Sequence, residues 1–369
     1  MSYSPKTYRF ILSGGGTGGH IYPAIAIAQE LESQFPHCEI LFVGAENKME
    51  MRLVPESGYQ IKGLPIVGFN RKSLLSNIFL PFKLWKSLSK AKQILQNFQP
   101  DAVIGTGGFA SGPLLKQAQK LGIPTFIQEQ NAFAGVTNKL LAKNAVKIFT
   151  AFEGMEKWFP ANKIVITGNP VRRLNQLTIS QSEAKEQLGF EADYPLVFVT
   201  GGSLGAAVIN RAIGAATPYF VKNQVQLLWQ CGKNNYKHLK GTFGEAGMNW
   251  KLQDFVSRMD LAFHAADLVV SRAGASTISE LALVGKPAIL IPSPNVAEDH
   301  QTYNAKAVEK AGGALFLADE DVAQDLHKLI FKIVENTPLL HQLSNGMLKF
   351  SQPFATQKIV ESIQNHLDK

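Results

Sequence analysis

The chain has 369 residues, 45% of them hydrophobic and 18% charged, with a formal net charge of +8. That length favours two domains, and the composition excludes a disordered or collagen-like chain. Cys38 and Cys231 stand far apart, which excludes a disulfide framework and a cysteine metal cluster and fits a reducing cytoplasm.

Residues 1–9 are polar, and the apolar run 10–12 is too short for a secretory leader. No stretch reaches the ~20 apolar residues that span a bilayer, so membrane contact is expected to be peripheral. The positive charge admits nucleic acid, anionic lipid or phosphorylated substrates as partners.

The first predicted element is a strand at 10–13. It runs into the glycine turn Gly14-Gly15-Gly16-Thr17-Gly18-Gly19 and then a helical pattern from Ile21 to Leu31. Strand, glycine turn and helix in that order expose backbone N–H groups where the helix dipole favours an anion. His20 stands at the mouth of this turn, suited to proton transfer near neutral pH. A second strand is predicted at 40–43.

The segment from Ser57 to Pro100 has no Asp or Glu. It mixes Lys83, Lys86 and five other cations with Ile78, Phe79, Phe82 and Trp85. Cations beside large apolar groups suit an anionic bilayer surface, whereas nucleic acid would not require the apolar run. An amphipathic helix with its leucines in the core accounts for the same pattern, and both can hold on different faces. Lys139, Lys143 and Lys147 recur every four residues in a second acid-free stretch. They read as one helix face, either joined to that patch or simply solvated.

Further strands are predicted at 102–104, 125–128, 147–150 and 164–167, then at 196–200, 226–231, 268–271 and 288–292, each followed by a helix. The alternation gives an α/β protein with buried parallel sheets. Right-handed crossovers put the glycine turns at the carboxyl edges, where ligands bind. The turn after strand 102–104 contains Gly107 and Gly108. Those after 196–200 and 268–271 contain Ser203 and Ala275. The domain boundary is placed near Thr167-Gly168-Asn169-Pro170, with domains at 1–167 and 168–349 and a final helix within 350–369.

Generic motifs do not explain the turns. No P-loop occurs. Gly14 to Gly19 matches Gly-x-Gly-x-x-Gly, with Glu46 as the acidic residue for a ribose. Gly201 to Gly205 meets the nucleophile-elbow spacing around Ser203, with no triad order to support it.

Longer matches carry a resemblance. Residues 15–24 (GGTGGHIYPA), 107–113 (GGFASGP), 129–131 (EQN), 168–172 (GNPVR), 201–203 (GGS), 271–280 (SRAGASTISE) and 299–303 (DHQTY) run in order over nearly the whole chain. In this they resemble the MurG family of peptidoglycan N-acetylglucosaminyltransferases. The resemblance implies a GT-B fold, two Rossmann-like domains with parallel sheets facing a central cleft, and a C-terminal helix returning to the first domain. It implies an inverting enzyme that moves N-acetylglucosamine (GlcNAc) from UDP-GlcNAc to the 4-hydroxyl of undecaprenyl-diphosphate-linked N-acetylmuramyl pentapeptide. The enzyme is expected to be peripheral on the cytoplasmic face of the bacterial inner membrane, with no role for nucleic acid. Partners among cell-wall or division proteins are compatible with it.

For the donor, the resemblance implies Glu280 on the ribose and the backbone from Ala275 through Ser276, Thr277, Ile278 and Ser279 at the diphosphate. Ser203 and Arg172 stand near the phosphates, Val256 meets the uracil through its backbone, and Gln301 reads the sugar hydroxyls. Thr17, Gly18, Gly19 and Asn131 close over the sugar. His20 is the expected base. Gly15, Gly16, Gly107 and Gly108 are expected to take the acceptor diphosphate, and the patch from Ile78 to Lys86 its lipid. No Asp-x-Asp motif of the metal-binding kind is recognised, and neither metal nor cofactor is expected. Two positions depart from the family pattern: Gln128 stands where many members carry His, and Leu204 where they carry Gln. Another GT-B lipid glycosyltransferase, or a non-catalytic scaffold of the same fold, remain alternatives.

Overall fold

The computed structural model describes residues 7–66, 80–171, 177–202, 204–244 and 250–368. The chain forms two compact units, Met1–Arg172 with Phe354–Lys369, and Arg173–Pro353.

The first unit is built on seven parallel strands: β1 (Arg9–Gly14), β2 (Glu39–Ala45), β3 (Gln60–Leu64), β4 (Ala102–Gly107), β5 (Thr125–Glu129), β6 (Lys147–Thr150) and β7 (Ile164–Ile166). Their order is β3-β2-β1-β4-β5-β6-β7. Alternate residues of each strand feed opposite layers. Phe10 and Leu12 of β1 pack with α1 (Gly18–Gln34) and with Ile359, Val360 and Ile363 of α14 (Ala355–Leu367). The last helix therefore belongs to the first unit's core. Ile11, Val103 and Ile127 face the other way, toward α3 (Leu80–Phe98), α4 (Ser111–Lys120) and α5 (Val136–Leu141). The short helix α2 (Glu50–Glu56) follows β2.

The second unit has six parallel strands: β8 (Leu196–Thr200), β9 (Gln226–Gln230), β10 (Trp250–Gln253), β11 (Leu268–Arg272), β12 (Ala288–Ile291) and β13 (Ala314–Phe316). Their order is β10-β9-β8-β11-β12-β13. Val197, Val199 and Trp229 pack with α7 (Ala207–Lys222) and α12 (Val322–Val334). The other helices are α6 (Gln181–Gln187), α8 (Lys233–Phe243), α9 (Met259–Ala265), α10 (Ala275–Val284), α11 (His300–Lys310) and α13 (Thr337–Leu348).

In each sheet the strand order reverses once, between β1 and β4 in the first and between β8 and β11 in the second. The loops leaving those two strands diverge and open a crevice at the carboxyl edge, the usual ligand position in such folds. All four glycine turns read from the sequence leave these four strands.

Candidate functional site

In the first unit, the turns after β1 and β4 are bonded to each other. The Gly15 N–H donates to the Gly107 carbonyl at 3.2 Å, and Thr106 Oγ1 donates to the His20 carbonyl at 2.7 Å. Ser111 Oγ, at the start of α4, donates to the carbonyls of Ser13 (2.8 Å) and Gly107 (2.9 Å). Gly107 and Gly108 have φ of +104° and +92°. A Cβ on Gly108 would lie 2.3 Å from the Gly15 carbonyl oxygen, and one on Gly107 would lie 2.8 Å from His20 Cδ2. Only glycine allows both the backbone conformation and this approach.

His20 Nδ1 lies 3.0 Å from the Gly15 carbonyl and 3.3 Å from Thr17 Oγ1. A carbonyl can only accept, so the neutral ring carries its proton on Nδ1 and its basic lone pair on Nε2. No side chain caps α1 at Thr17. The amides of Gly18 and Gly19 thus stand at a bare helix N-terminus, which favours anions. The N–H groups of Gly15 and Gly16 are used inward instead, on Gly107 and on Glu50 Oε2 (3.0 Å). These two glycines shape the turn.

The loop after β5 is organised by a buried carboxylate. Glu129 accepts from the N–H groups of Asn131 (3.1 Å) and Gly135 (3.0 Å) and from Asn138 Nδ2 (2.8 Å). Burial pushes its carboxyl above the usual range, and these donors oppose the shift. Gln130 Nε2 donates to the Thr106 carbonyl at 2.6 Å, joining this loop to the end of β4. Gln128 Nε2 donates to Asn169 Oδ1 at 2.9 Å, and Asn169 Nδ2 to the Gln130 carbonyl at 3.1 Å. Gln128, the departure from the family's His, is thus part of a buried amide cluster.

In the second unit the β8 turn is held by Gln230 at the end of β9. Its Nε2 donates to Thr200 Oγ1 (2.9 Å) and the Gly202 carbonyl (3.1 Å), and its Oε1 accepts from the Val256 N–H (2.8 Å). Leu204 is 72% exposed. The start of α10 at Gly274 has no side-chain cap, and the first helical bond runs from Ile278 N to the Gly274 carbonyl. The N–H groups of Ala275, Ser276 and Thr277 therefore form the open end of the helix. Ile278 is buried, while Ser279 and Glu280 are half-buried further along α10.

Two further ties set this edge. Arg272 Nη1, on the last residue of β11, donates to the Pro292 carbonyl (2.9 Å) and pairs with Asp319 Oδ1 (2.5 Å). Asn304 Nδ2 of α11 donates to the Ala273 carbonyl (3.2 Å). Gln301 Oε1 accepts from the Ser293 N–H at 2.9 Å, which leaves its amide nitrogen to donate to a ligand hydroxyl. The preceding Glu298 and Asp299 hold φ of +59° and +50°, strained for residues with a Cβ.

On α3, Phe82 and Trp85 are 63% and 65% exposed, their rings stacked 6.2 Å apart. Lys83 and Lys86 are exposed beside them. Arg172, Ser203, Ile78 and Phe79 lie outside the described residues. Glu46, weighed as a ribose ligand, pairs with Lys90 at 2.8 Å.

One expectation needs correction. Lys139, Lys143 and Lys147 do not share a helix face, because α5 stops at Leu141 and Lys147 opens β6. The bare spacing Asp-x-Asp occurs at Asp319-Glu320-Asp321. Asp319 is paired with Arg272 there, and Asp321 sits at the start of α12. Among the described residues no three His, Cys, Asp or Glu side chains are grouped to hold a metal ion. No described helix is long and apolar enough to cross a membrane. Sequence reasoning missed Glu50, Gln230 and the Arg272 clamp.

The N-terminal domain of glycosyltransferase family 28 matches residues 10–150, and the family's C-terminal domain matches residues 196–358. The UDP-N-acetylglucosamine–N-acetylmuramyl-(pentapeptide) pyrophosphoryl-undecaprenol N-acetylglucosamine transferase of Parabacteroides distasonis is 50% identical over 369 residues, covering 99% of this chain and 100% of the relative. The same-named enzyme of Flavobacterium psychrophilum is 50% identical over 359 residues, covering 97% of each chain. The chain belongs to the MurG family. The crystal structure of Acinetobacter baumannii MurG superposes with a TM-score of 0.78 at 30% identity, covering 97% of this chain and 99% of that one. A UDP-GlcNAc 2-epimerase from Neisseria meningitidis superposes with a TM-score of 0.66 at 13% identity, covering 98% of this chain and all of that one, a likeness of fold alone. The two Rossmann-like units are thus those of a GT-B glycosyltransferase.

Proposed function

We infer that the protein transfers GlcNAc from UDP-GlcNAc to the 4-hydroxyl of undecaprenyl-diphosphate-linked N-acetylmuramyl pentapeptide, with inversion at the anomeric carbon. The observation that carries this reading is the 50% identity, end to end, to a transferase named for that donor and acceptor. A scaffold that had lost catalysis would have no need to keep His20, Glu280 and Gln301, and all are present.

The donor is assigned to the second unit. The amides of Ala275, Ser276 and Thr277 meet the diphosphate, and Glu280 takes the ribose hydroxyls. Gln301 donates to the sugar. The Val256 N–H is held by Gln230, so the uracil meets the Val256 carbonyl. Arg172 and Ser203 complete the phosphate site. As the glycosidic bond breaks, negative charge grows on UDP, where the start of α10 and Arg172 stabilise it.

The acceptor is assigned to the first unit. Its diphosphate lies against the bare start of α1 and the turn around Gly107 and Gly108. His20 Nε2 takes the proton from the attacking 4-hydroxyl as the oxocarbenium-like transition state forms. Phe82 and Trp85, flanked by Lys83 and Lys86, rest on an anionic membrane, the cytoplasmic face of the bacterial inner membrane.

The test is UDP release from UDP-GlcNAc with and without the lipid acceptor. Release that requires the acceptor is expected, and acceptor-independent release refutes the reading. His20→Ala is expected to lose the acid limb of the rate–pH profile along with most of kcat. An unchanged profile removes His20 as the base.

A further inference from the structure

The turn that carries His20 is held by a carboxylate for which the reaction has no other use. Glu50 opens α2 and is fully buried. Its Oε1 accepts from the Ala45 N–H and its Oε2 from the Gly16 N–H, both at 3.0 Å. The carboxylate fills the space two glycines leave: a Cβ on Gly15 would sit 2.2 Å from Oε1, and one on Gly44 2.6 Å from Cγ. Gly15 then passes the constraint on, because its carbonyl receives His20 Nδ1 at 3.0 Å and its N–H holds Gly107 at 3.2 Å.

A buried carboxylate is costly to desolvate, and here two amide N–H groups offset that cost. What an apolar side chain cannot do is accept the Gly16 and Ala45 N–H groups together. Both oxygens are engaged by amides from two segments, the loop after β1 and the last residue of β2. That is the geometry of a clamp.

We propose that Glu50 is a positioning residue for His20. It fixes the Gly15–Gly16 turn, and through the Gly15 carbonyl it fixes the orientation of the imidazole. The proposal rests on the reading of His20 as the base. Glu50→Gln preserves shape but turns an NH₂ group toward one of the two N–H donors, so one of the two clamping bonds is lost.

The experiment compares wild type, Glu50→Gln, His20→Ala and the double variant, all full length, with UDP-GlcNAc and a lipid-linked acceptor. Glu50→Gln is expected to lower kcat by about 10²-fold, the cost of misplacing a catalytic group by about 1 Å. The KM for UDP-GlcNAc is expected to stay as in wild type. Added to His20→Ala, Glu50→Gln should cost little more, because both act on one element. Wild-type kcat in Glu50→Gln overturns the proposal, as does an equal loss in the two backgrounds. If His20→Ala keeps the wild-type rate and profile, the base reading fails and takes this proposal with it. A loss in His20→Ala beside a normal Glu50→Gln overturns the clamp alone. If Glu50→Gln does not fold, Gly44→Ala pushes on the Glu50 Cγ and keeps the carboxylate. It is expected to lower kcat at unchanged donor KM, and wild-type kcat there overturns the proposal equally.

Discussion

Replacing Gln230 by leucine isolates what a buried amide does for the donor face. The side chain is 2% exposed and makes three hydrogen bonds, to Thr200 Oγ1, the Gly202 carbonyl and the Val256 N–H. Leucine has nearly the same bulk and none of these bonds. Thr200 Oγ1 keeps the Gly202 N–H at 3.2 Å, and Gly202 is exposed, so its carbonyl turns to water. Val256 is 2% exposed, and its N–H is left buried without an acceptor. One orphaned buried donor costs about 1–3 kcal/mol, so the loss should be about 2 kcal/mol. Urea unfolding followed by circular dichroism measures it. The same change frees the Val256 carbonyl, assigned to the uracil, and the Gly202 carbonyl next to Ser203, so the KM for UDP-GlcNAc should rise about tenfold with kcat near wild type, the signature of lost uniform binding. Lost stability with an unchanged donor KM refutes the role at the site. Unchanged stability refutes the account of the buried N–H.

Phe82→Ser with Trp85→Ser removes two exposed rings, on the order of 3 kcal/mol of interfacial burial and roughly 100-fold in partition to anionic vesicles. Turnover of a water-soluble acceptor should be unchanged, and equal loss of both counts against the membrane role. Lys286 has its pKa pushed down to about 8, chiefly by burial, helped by the Lys185 cation and opposed by Asp267. Its folded form therefore binds fewer protons than its unfolded form between about pH 8 and the ordinary lysine value, and its contribution to stability rises with pH across that window. The stability difference between wild type and Lys286→Met should move in favour of wild type by about 1–2 kcal/mol from pH 7.5 to 9.5. A flat difference shows that the ammonium is not desolvated.

The strands at the centre of each sheet were legible because they are buried on both faces and read as apolar runs between glycine turns. β3, β10 and β13 were missed. Each is the outer strand at one edge of its sheet, and β13 has only three residues. β3 carries Lys62 and Gly63, and β10 alternates Lys251 and Gln253 with its apolar positions. Edge strands take charged and polar residues readily, which breaks the apolar run. The lysine series from 139 to 147 misled for a related reason: a spacing of four fits a helix, but the strand signal of residues 147–150 takes over before the third member. At the site, the glycine turns were legible because their chemistry lies in the backbone. Glu50 was not, since it meets Gly16 across 34 residues and nothing in its neighbourhood marks it.

The two faces share one design problem, and the missed residues are its solution. Groups offered to a diphosphate are backbone amides in glycine turns and at open helix ends, and such segments bury too little apolar surface to hold a shape. In both units the missing rigidity comes from polar side chains sunk behind the loops: Glu50, Glu129 and Gln130 in the first, Gln230, Arg272 and Asn304 in the second. Glu129 ties down the loop that follows it, and each of the others bonds backbone from a different segment of the chain. Burying them costs desolvation that those hydrogen bonds offset, and an apolar replacement leaves the bonded backbone groups unpaired. Across all six positions, removing these hydrogen bonds is expected to lower turnover or donor binding together with stability. The Gln230 and Glu50 variants, one from each unit, bring that expectation to a measurement.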